Sequence, residues 1–389
     1  MKKNNTNKAK KSQSARFERA KVKKIAAKQR ITIGMDLGDV NSHICALDDD
    51  AVVINRDQVP STKAGMTGYF SKLAACLVVI EVGTHSPWVS RLVASFGHEV
   101  IVANARRLKL ISQSQRKNDR VDAETLARLG RADRKLLCPI QHRGAEAQRD
   151  LAVIRARAAL VETRTALVNS ARGLVKSLGE RLKKADASGV DESLAEGLSE
   201  EIKAVVEPLL RAVGAINRQV KEYDDKIEGM AVRYPEVQLL KQVHGVGPLT
   251  GLAYVLTIED ANRFKRSRDV GPYLGLVPLQ KDSGNSQPEL NISKAGDKQL
   301  RTLLVQGAHC ILRKGAPASD LRDWGLKKPQ AGVDRQREGK QGGKRAKRRA
   351  IIGVARRLAV LLHHLWVGGE VYEPLYNRNR AQGATKKAA

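Results

Sequence analysis

Apolar positions fall into three regimes along the chain. Between Ile31 and Ala103 they form short runs bounded by turn residues. Ile31–Gly38 is an apolar run closing on Asp36 and Gly38, and Ser42–Leu47 follows after a short turn. Ala51–Ile54 with its continuation to Val59 completes a three-stranded meander. Thr67–Leu73 predicts a helix. Leu77–Glu81 is apolar up to its terminal carboxylate, the pattern of a strand buried on both faces. Ser86-Pro87-Trp88 opens a helix through Phe96, with proline in the first turn, and Glu99–Ala103 predicts a fifth strand. Lys117-Asn118-Asp119-Arg120-Val121-Asp122-Ala123-Glu124 then leads into a helix through Leu129. That spacing puts Asp119 and Asp122 on one helical face.

From about 145 the period changes. Leu151, Ile154, Ala158, Val161, Thr165, Val168, Arg172 and Val175 step by threes and fours, as do Ile202, Val206, Leu209, Val213, Ile216, Val220, Tyr223, Ile227 and Met230. Two long helices with heptads are expected, broken between Gly179 and Glu200. A helical hairpin with a coiled-coil seam accounts for them. It serves either as an intramolecular spacer or as a dimerisation arm; oligomerisation is the expectation, although Thr165 and Arg172 at seam positions weaken a dry two-stranded core.

The third regime begins with Leu239–Val243, a Gly245-Val246-Gly247 turn and an apolar helix from Pro248. This is a helix-hairpin-helix pattern. Its glycines let backbone N–H groups approach a phosphate at the positive end of the next helix, or they serve an ordinary tight turn between core helices. His244 reads as a packing residue. Leu303–Leu312 and a run from Ala350 predict two closing core helices.

Charge changes the picture most. Lys and Arg number 70 against 41 Asp and Glu, a net charge of +29. That excess points to a polyanionic partner, nucleic acid first. No run approaches the roughly 18 apolar residues of a spanning helix, so no membrane is expected. The basic N-terminus lacks the apolar core of a signal peptide. Cys45, Cys76, Cys138 and Cys310 are scattered, without zinc or disulfide spacing. Aromatics are only 4%, which makes base stacking a minor mode of binding. Residues 1–29 read as a disordered basic arm, and 377–389 as a disordered tail. Asp334–Arg349 holds eight Lys or Arg and two acids, with Gly339, Gly342 and Gly343. It reads as a loop gripping nucleic-acid phosphates through Lys344, Arg345, Lys347 and Arg348.

The candidate chemistry rests on Asp36, Glu81, Asp119 and Asp122. Three meander strands followed by alternating helix and strand is the order of the ribonuclease-H fold. There the first strand, the fourth strand and a late helix each deliver acids to one metal site. Hard divalent cations take such oxygen ligands, and two ions about 4 Å apart hold the attacking and leaving oxygens of a phosphoryl displacement. Glu124 lies near Asp119 on the helix and is the residue most easily confused with a ligand. The plain alternative for each acid is a helix cap or turn former.

Asp36-Leu37-Gly38, Val79-Ile80-Glu81 and Lys117–Ala123 resemble the DEDD motifs of bacterial insertion-sequence transposases of the DEDD and serine type, the bridge-RNA-guided recombinases. Their N-terminal domain is similar to the junction resolvase RuvC. Leu274-Gly275-Leu276-Val277-Pro278, Ser283-Gly284 and Ile292-Ser293-Lys294-Ala295-Gly296-Asp297 through Arg301 resemble their C-terminal transposase domain. On that match Ser283 takes the place of the nucleophilic serine, with Ser286 a weaker candidate. Asp282 replaces the family's first serine there, and Asn285-Ser286 replace Gly-Lys. A serine before glycine is otherwise a common turn former.

The resemblance implies a multidomain chain: an α/β RuvC-like DEDD domain over 30–142, a coiled-coil helical hairpin over 143–235, and a mainly α serine transposase domain with helix-hairpin-helix over 236–376. It implies Mg2+, with Mn2+ possible, at the four acids. Lys294 and Arg301 are the cations expected to neutralise the reacting phosphate, or else ordinary solvated charges on a basic protein, and Gly245 and Gly247 would approach a backbone. Donor and target DNA, a structured guide-type RNA and a homo-oligomer, dimer or tetramer, are the implied partners in a bacterial, nucleoid-associated cytoplasmic setting. A metal-dependent junction-resolving nuclease without serine chemistry, and a non-catalytic nucleic-acid-binding protein, are the alternatives.

Overall fold

The computed structural model describes residues 31–104, 118–284, 286, 288, 290–327 and 344–380, without the side chains of 344 and 345. The basic arm over 1–29 and residues 334–343 of the basic segment lie outside the described residues. The chain divides into two compact units, one through Arg143 and one from Gly144.

The first unit is a five-stranded mixed sheet in the order β3-β2-β1-β4-β5. β1 (Thr32–Asp36), β2 (Asn41–Leu47) and β3 (Val53–Pro60) form the antiparallel meander. β4 (Leu77–Glu81) pairs parallel to β1, and β5 (Glu99–Ala103) parallel to β4. Alternation divides the side chains between two faces. Ile33, Met35, Ile44 and Ile80 are buried on one face with Met66 and Phe70 of α1 (Lys63–Phe70) and Val89 and Val93 of α2 (Ser86–Ala94). Each fully buried side chain of that size contributes roughly 1.5–3 kcal/mol. Cys45, Leu47 and Val79 face the other way, against Ala123, Leu126 and Ala127 of α3 (Asp119–Ala132). The result is an RNase H-like three-layer α/β unit.

α1 begins four residues before the expected Thr67, because the Thr62 side chain caps it by accepting from the Gly65 N–H. It stops at Phe70 rather than Leu73. α2 likewise ends at Ala94, short of Phe96.

The second unit is mainly helical. α4 (Ala145–Ser177) and α5 (Glu200–Val232) run antiparallel. Arg157 Nη2 donates to Asp224 Oδ2 at 3.1 Å and Arg164 Nη1 to Asn217 Oδ1 at 3.0 Å, fixing the register. The distal seam is Val168, Ala171 and Val175 against Ile202, Val206, Leu210 and Val213. Thr165 and Arg172, expected in the seam, are exposed instead. Ile154, Val168 and Val175, and Val206, Val213, Val220 and Ile227, keep the seven-residue spacing and are buried, so the seam is carried by one position per heptad while Thr165 and Arg172 at the other open to solvent.

At the other end Leu151, Ile154, Ile227 and Met230 enter the core built by α6 (Pro235–Leu240), α7 (Pro248–Ile258), α8 (Lys298–Leu312) and α9 (Lys344–Gly368). α8 starts at Lys298, five residues before the expected Leu303, because the Asp297 carboxylate caps it on the Leu300 N–H. α9 starts at Lys344, so the last part of the expected basic loop is helix. Ala346–Gly368 holds an 18-residue window of mean hydropathy 1.4, which makes the helix long and apolar enough to cross a membrane, against the sequence expectation that no stretch qualifies. Val354, Leu358, Leu362 and Leu365 are nonetheless buried in the core, and Tyr254 donates its hydroxyl to the Ala359 carbonyl at 2.7 Å. Residues 376–380 are helical, not an unstructured tail, and Asn377 donates backbone and side-chain N–H groups to Asp320.

Candidate metal centre and serine ribbon

Gly34 sets the geometry of the acidic cluster. A Cβ built there would stand 2.0 Å from the Ala123 carbonyl oxygen and 2.5 Å from the Ala127 nitrogen. Without one, α3 lies directly on β1. Two residues beyond Gly34 on the same face is Asp36, and one helical turn before Ala123 is Asp119. The first turn of α3 therefore stands over the end of β1. Asn118 caps that turn by accepting from the Arg120 N–H. Met35 pairs with Ile80 in the parallel ladder, so Asp36 and Glu81 end neighbouring strands together. Glu81 shares its parity with Val79, and so belongs to the face covered by α3.

Negative charge accumulates there. The Asp36 carboxyl is raised to about 6, by burial first and then by Asp119 and Asp122. His43 opposes the rise. It lies opposite Asp36 in the β1–β2 ladder, and its Nε2 stands 3.5 Å from Asp119 Oδ2. Nothing in the sequence singled out His43, since its approach depends on the antiparallel register. Among the described residues, no three such side chains close on a common point as placed. Asp36 and Glu81 instead end adjacent strands, and Asp119 and Asp122 stand in the first turn of α3. Glu124 is engaged elsewhere: Arg56 reaches it at 2.5 Å and Arg128 at 2.7 Å, and these hydrogen bonds hold its carboxyl below the usual range.

Ser283 lies in the second unit, on an irregular ribbon that among the described residues pairs as isolated bridges between Pro278 and Ile292 and between Ser283 and Ser286. Ser293 donates to Val277 and Leu279 to Asn291 at its base, and Ser283 and Ser286 exchange backbone N–H···O bonds at its tip. Gly284 follows Ser283 with φ +53, a left-handed turn conformation. Ser283 is exposed. Lys294 is exposed, with φ +53. Arg301 is not simply a solvent-facing cation. Its Nη1 donates to the Leu274 and Ala295 carbonyls at 3.0 and 2.8 Å, tying the ribbon base to α8.

Gly245 has φ +86, and a Cβ there would meet the Gly307 carbonyl of α8 at 2.7 Å. Close helix packing therefore needs this glycine. Gly247 is the N-cap of α7 and has open space around it. His244, expected to pack, is exposed. Lys347 and Arg348 project from the first turns of α9 into solvent, and Lys344 and Arg345 open the same helix.

An RNase H-like sheet whose adjacent strand ends carry acids beneath a D-x-x-D helix defines a class of metal-dependent phosphoryl-transfer domains. Residues 33–179 match a DEDD transposase family, and residues 237–322 match the family described as Transposase IS116/IS110/IS902. A probable family 20 transposase of Pseudomonas aeruginosa is 31% identical, covering 75% of this chain and 86% of its own length. The transposase for insertion sequence element IS1111A of Coxiella burnetii is 28% identical, covering 76% of this chain and 81% of its own. The transposase for IS1328 of Yersinia enterocolitica is 26% identical, over 72% and 84%. The chain belongs to the IS110/IS116/IS902 family of transposases, enzymes of DEDD-type phosphoryl transfer. Such a domain implies a divalent metal. The donor chemistry fits one: the four acids offer only hard carboxylate oxygens, and the raised Asp36 carboxyl marks charge that a cation would relieve.

Proposed function

We propose that this transposase cuts and rejoins donor and target DNA with Asp36, Glu81, Asp119 and Asp122 as ligands of Mg2+ and Ser283 as nucleophile, under the direction of a structured guide RNA. The observation carrying the acidic half is the electrostatic coupling of Asp36, at the end of the central strand, to Asp119 and Asp122. Bound there, Mg2+ would supply charge neutralisation for the phosphoryl oxygens. Asp36 and Glu81 would hold it from strand ends, and Asp119 and Asp122 from a capped helix turn. His43 orients Asp119 from the neighbouring strand.

For the serine, the support is its exposure at a turn with a glycine behind it, which leaves Oγ accessible to a backbone phosphate. The Oγ–P bond forms as the phosphorus–sugar oxygen bond breaks. The hydroxyl proton leaves to a base, and the departing sugar oxygen takes up a proton. Lys294, exposed near the ribbon base, offers positive charge to the phosphate. Gly247 at the start of α7, and Lys344, Arg345, Lys347 and Arg348 on α9, offer contacts to backbone phosphates. Guidance by RNA is supported by the family resemblance and the charge of +29. A homo-oligomer, dimer or tetramer, would bring the serine of one subunit to the acids of another.

A second reading, a resolvase-like nuclease without serine chemistry, is favoured by one observation: the acids gather within the first unit alone. Incubating the protein with labelled donor DNA and candidate RNA separates the two. A covalent protein–DNA adduct lost in Ser283→Ala and kept in Ser286→Ala supports the first. Cleavage with no adduct supports the second, and binding with neither overturns both.

A further inference from the structure

The segment joining α4 to α5 is not a slack loop. Val190 and Ala195 are buried against the distal seam, and Asn217 Nδ2 donates to the Ser188 and Val190 carbonyls at 3.3 and 3.0 Å. Arg172 Nη2 reaches the Ala185 carbonyl at 3.4 Å, and Glu180 accepts from the Ser199 N–H at 3.1 Å. These bonds hold the segment on the end of the hairpin. On this platform lies a concave surface of about 770 Å³ lined by Arg172, Lys176, Arg181, Lys183 and Lys184. Asp186 is the one acid lining it. Lys176, Arg181, Lys183 and Lys184 are all exposed.

Five cations gathered around one acid repel one another. Folding alone does not reward that arrangement, since the apolar seam beneath is already closed within the chain. A polyanion does reward it. The contour is concave and its cations come from both α4 and the segment after it, as tracking a phosphate backbone requires. The surrounding side chains are apolar or charged rather than aromatic, so contacts would go to phosphates and not to bases.

We infer that the hairpin tip is a nucleic-acid backbone site, built by Arg172, Lys176, Arg181, Lys183 and Lys184. None of these residues belongs to the acid cluster or to the serine ribbon. The hairpin thus carries a phosphate grip at its end in addition to any role as an arm.

The test is the combined variant Lys176→Gln, Arg181→Gln, Lys183→Gln, Lys184→Gln in the full chain. Arg172 stays, because it holds the Ala185 carbonyl. A control carries Arg211→Gln, Arg218→Gln, Lys221→Gln and Lys226→Gln, four exposed cations on α5. Thermal melting verifies that both fold. Binding of a short DNA duplex of arbitrary sequence and of a folded RNA hairpin is measured across a salt series. The tip variant should bind roughly tenfold or more weakly near physiological salt, and its slope against log salt should shrink by up to about 3–4 on DNA. The control should keep most of its affinity. Loss on DNA alone, on RNA alone or on both identifies the source of the backbone, and each supports the site. Equal loss in the control, unchanged binding by the tip variant, or no nucleic-acid binding by the unmodified protein overturns it. The assay needs no strand cleavage, so its failure is separate from failure of the proposed chemistry.

Discussion

Gly34 and Ala123 touch so closely that a Cβ on the former would lie 2.0 Å from the carbonyl oxygen of the latter. The first turn of α3 is held above the end of β1 by this contact. Gly34→Ala should therefore push the helix outward, lower stability by about 1–3 kcal/mol, and reduce metal-dependent cleavage beyond what the stability loss explains. Denaturant unfolding and a cleavage assay on the same samples check it. An unchanged unfolding midpoint would show that the helix is not seated by that glycine.

Asp36 gives a pH-dependent expectation. Its carboxyl rises from 3.8 to about 6 on folding, through burial first and then the neighbouring aspartates. A raised acid stabilises the fold in its protonated form below the unfolded value, and that contribution is lost as pH rises through about 6. In the metal-free protein, Asp36→Asn should thus be more stable than the unmodified chain above about pH 7, by roughly 1–2 kcal/mol after solvent screening. The gain should vanish below about pH 4. Adding Mg2+ should stabilise the unmodified chain more than the variant. Equal melting of the two proteins across this range would remove Asp36 from the charged cluster.

The acids should separate by role. Asp36→Asn, Glu81→Gln, Asp119→Asn and Asp122→Asn are each expected to abolish strand cleavage in limiting Mg2+ while nucleic-acid binding survives. Glu124→Gln should keep cleavage and lose under about 1 kcal/mol of stability, the worth of a partly exposed pair with Arg56 and Arg128. A cleavage-dead Glu124→Gln that melts normally would put Glu124 among the ligands.

Arg301 was legible in the sequence only as a cation. Its bonds to the Leu274 and Ala295 carbonyls make it a clamp at the ribbon base. Arg301→Gln should cost about 1.5–3 kcal/mol, read in thermal melting. If melting is unaffected and adduct formation falls, the guanidinium serves the phosphate instead.

The shared-site reading has its own measurement. Asp36→Asn and Ser283→Ala proteins, each inactive, are mixed as differently tagged chains. Recovered cleavage in mixed oligomers is expected. Mixed oligomers that form on pull-down and remain inactive would require the acids and the serine to act within one chain.

By itself the sequence determined the five strands, the order of the sheet-forming runs and the four acids at strand ends and on the D-x-x-D helix. These rest on local signals: short apolar runs between turn residues, a carboxylate ending such a run, and an i,i+3 pair. The resemblance in two separate regions was legible for the same reason. Only the tertiary structure decided which charges meet. Glu124 is drawn off by Arg56, which lies 68 residues earlier in the chain. His43 reaches Asp119 because β2 returns antiparallel beside β1. Thr165 and Arg172 face outward while Val168 and Val175 on the same helix are buried, and the Asp297 cap starts α8 early. Periodicity records what each residue prefers within a few positions. Which residues from distant segments become neighbours depends on the path of the backbone and on close approaches, such as the one Gly34 permits.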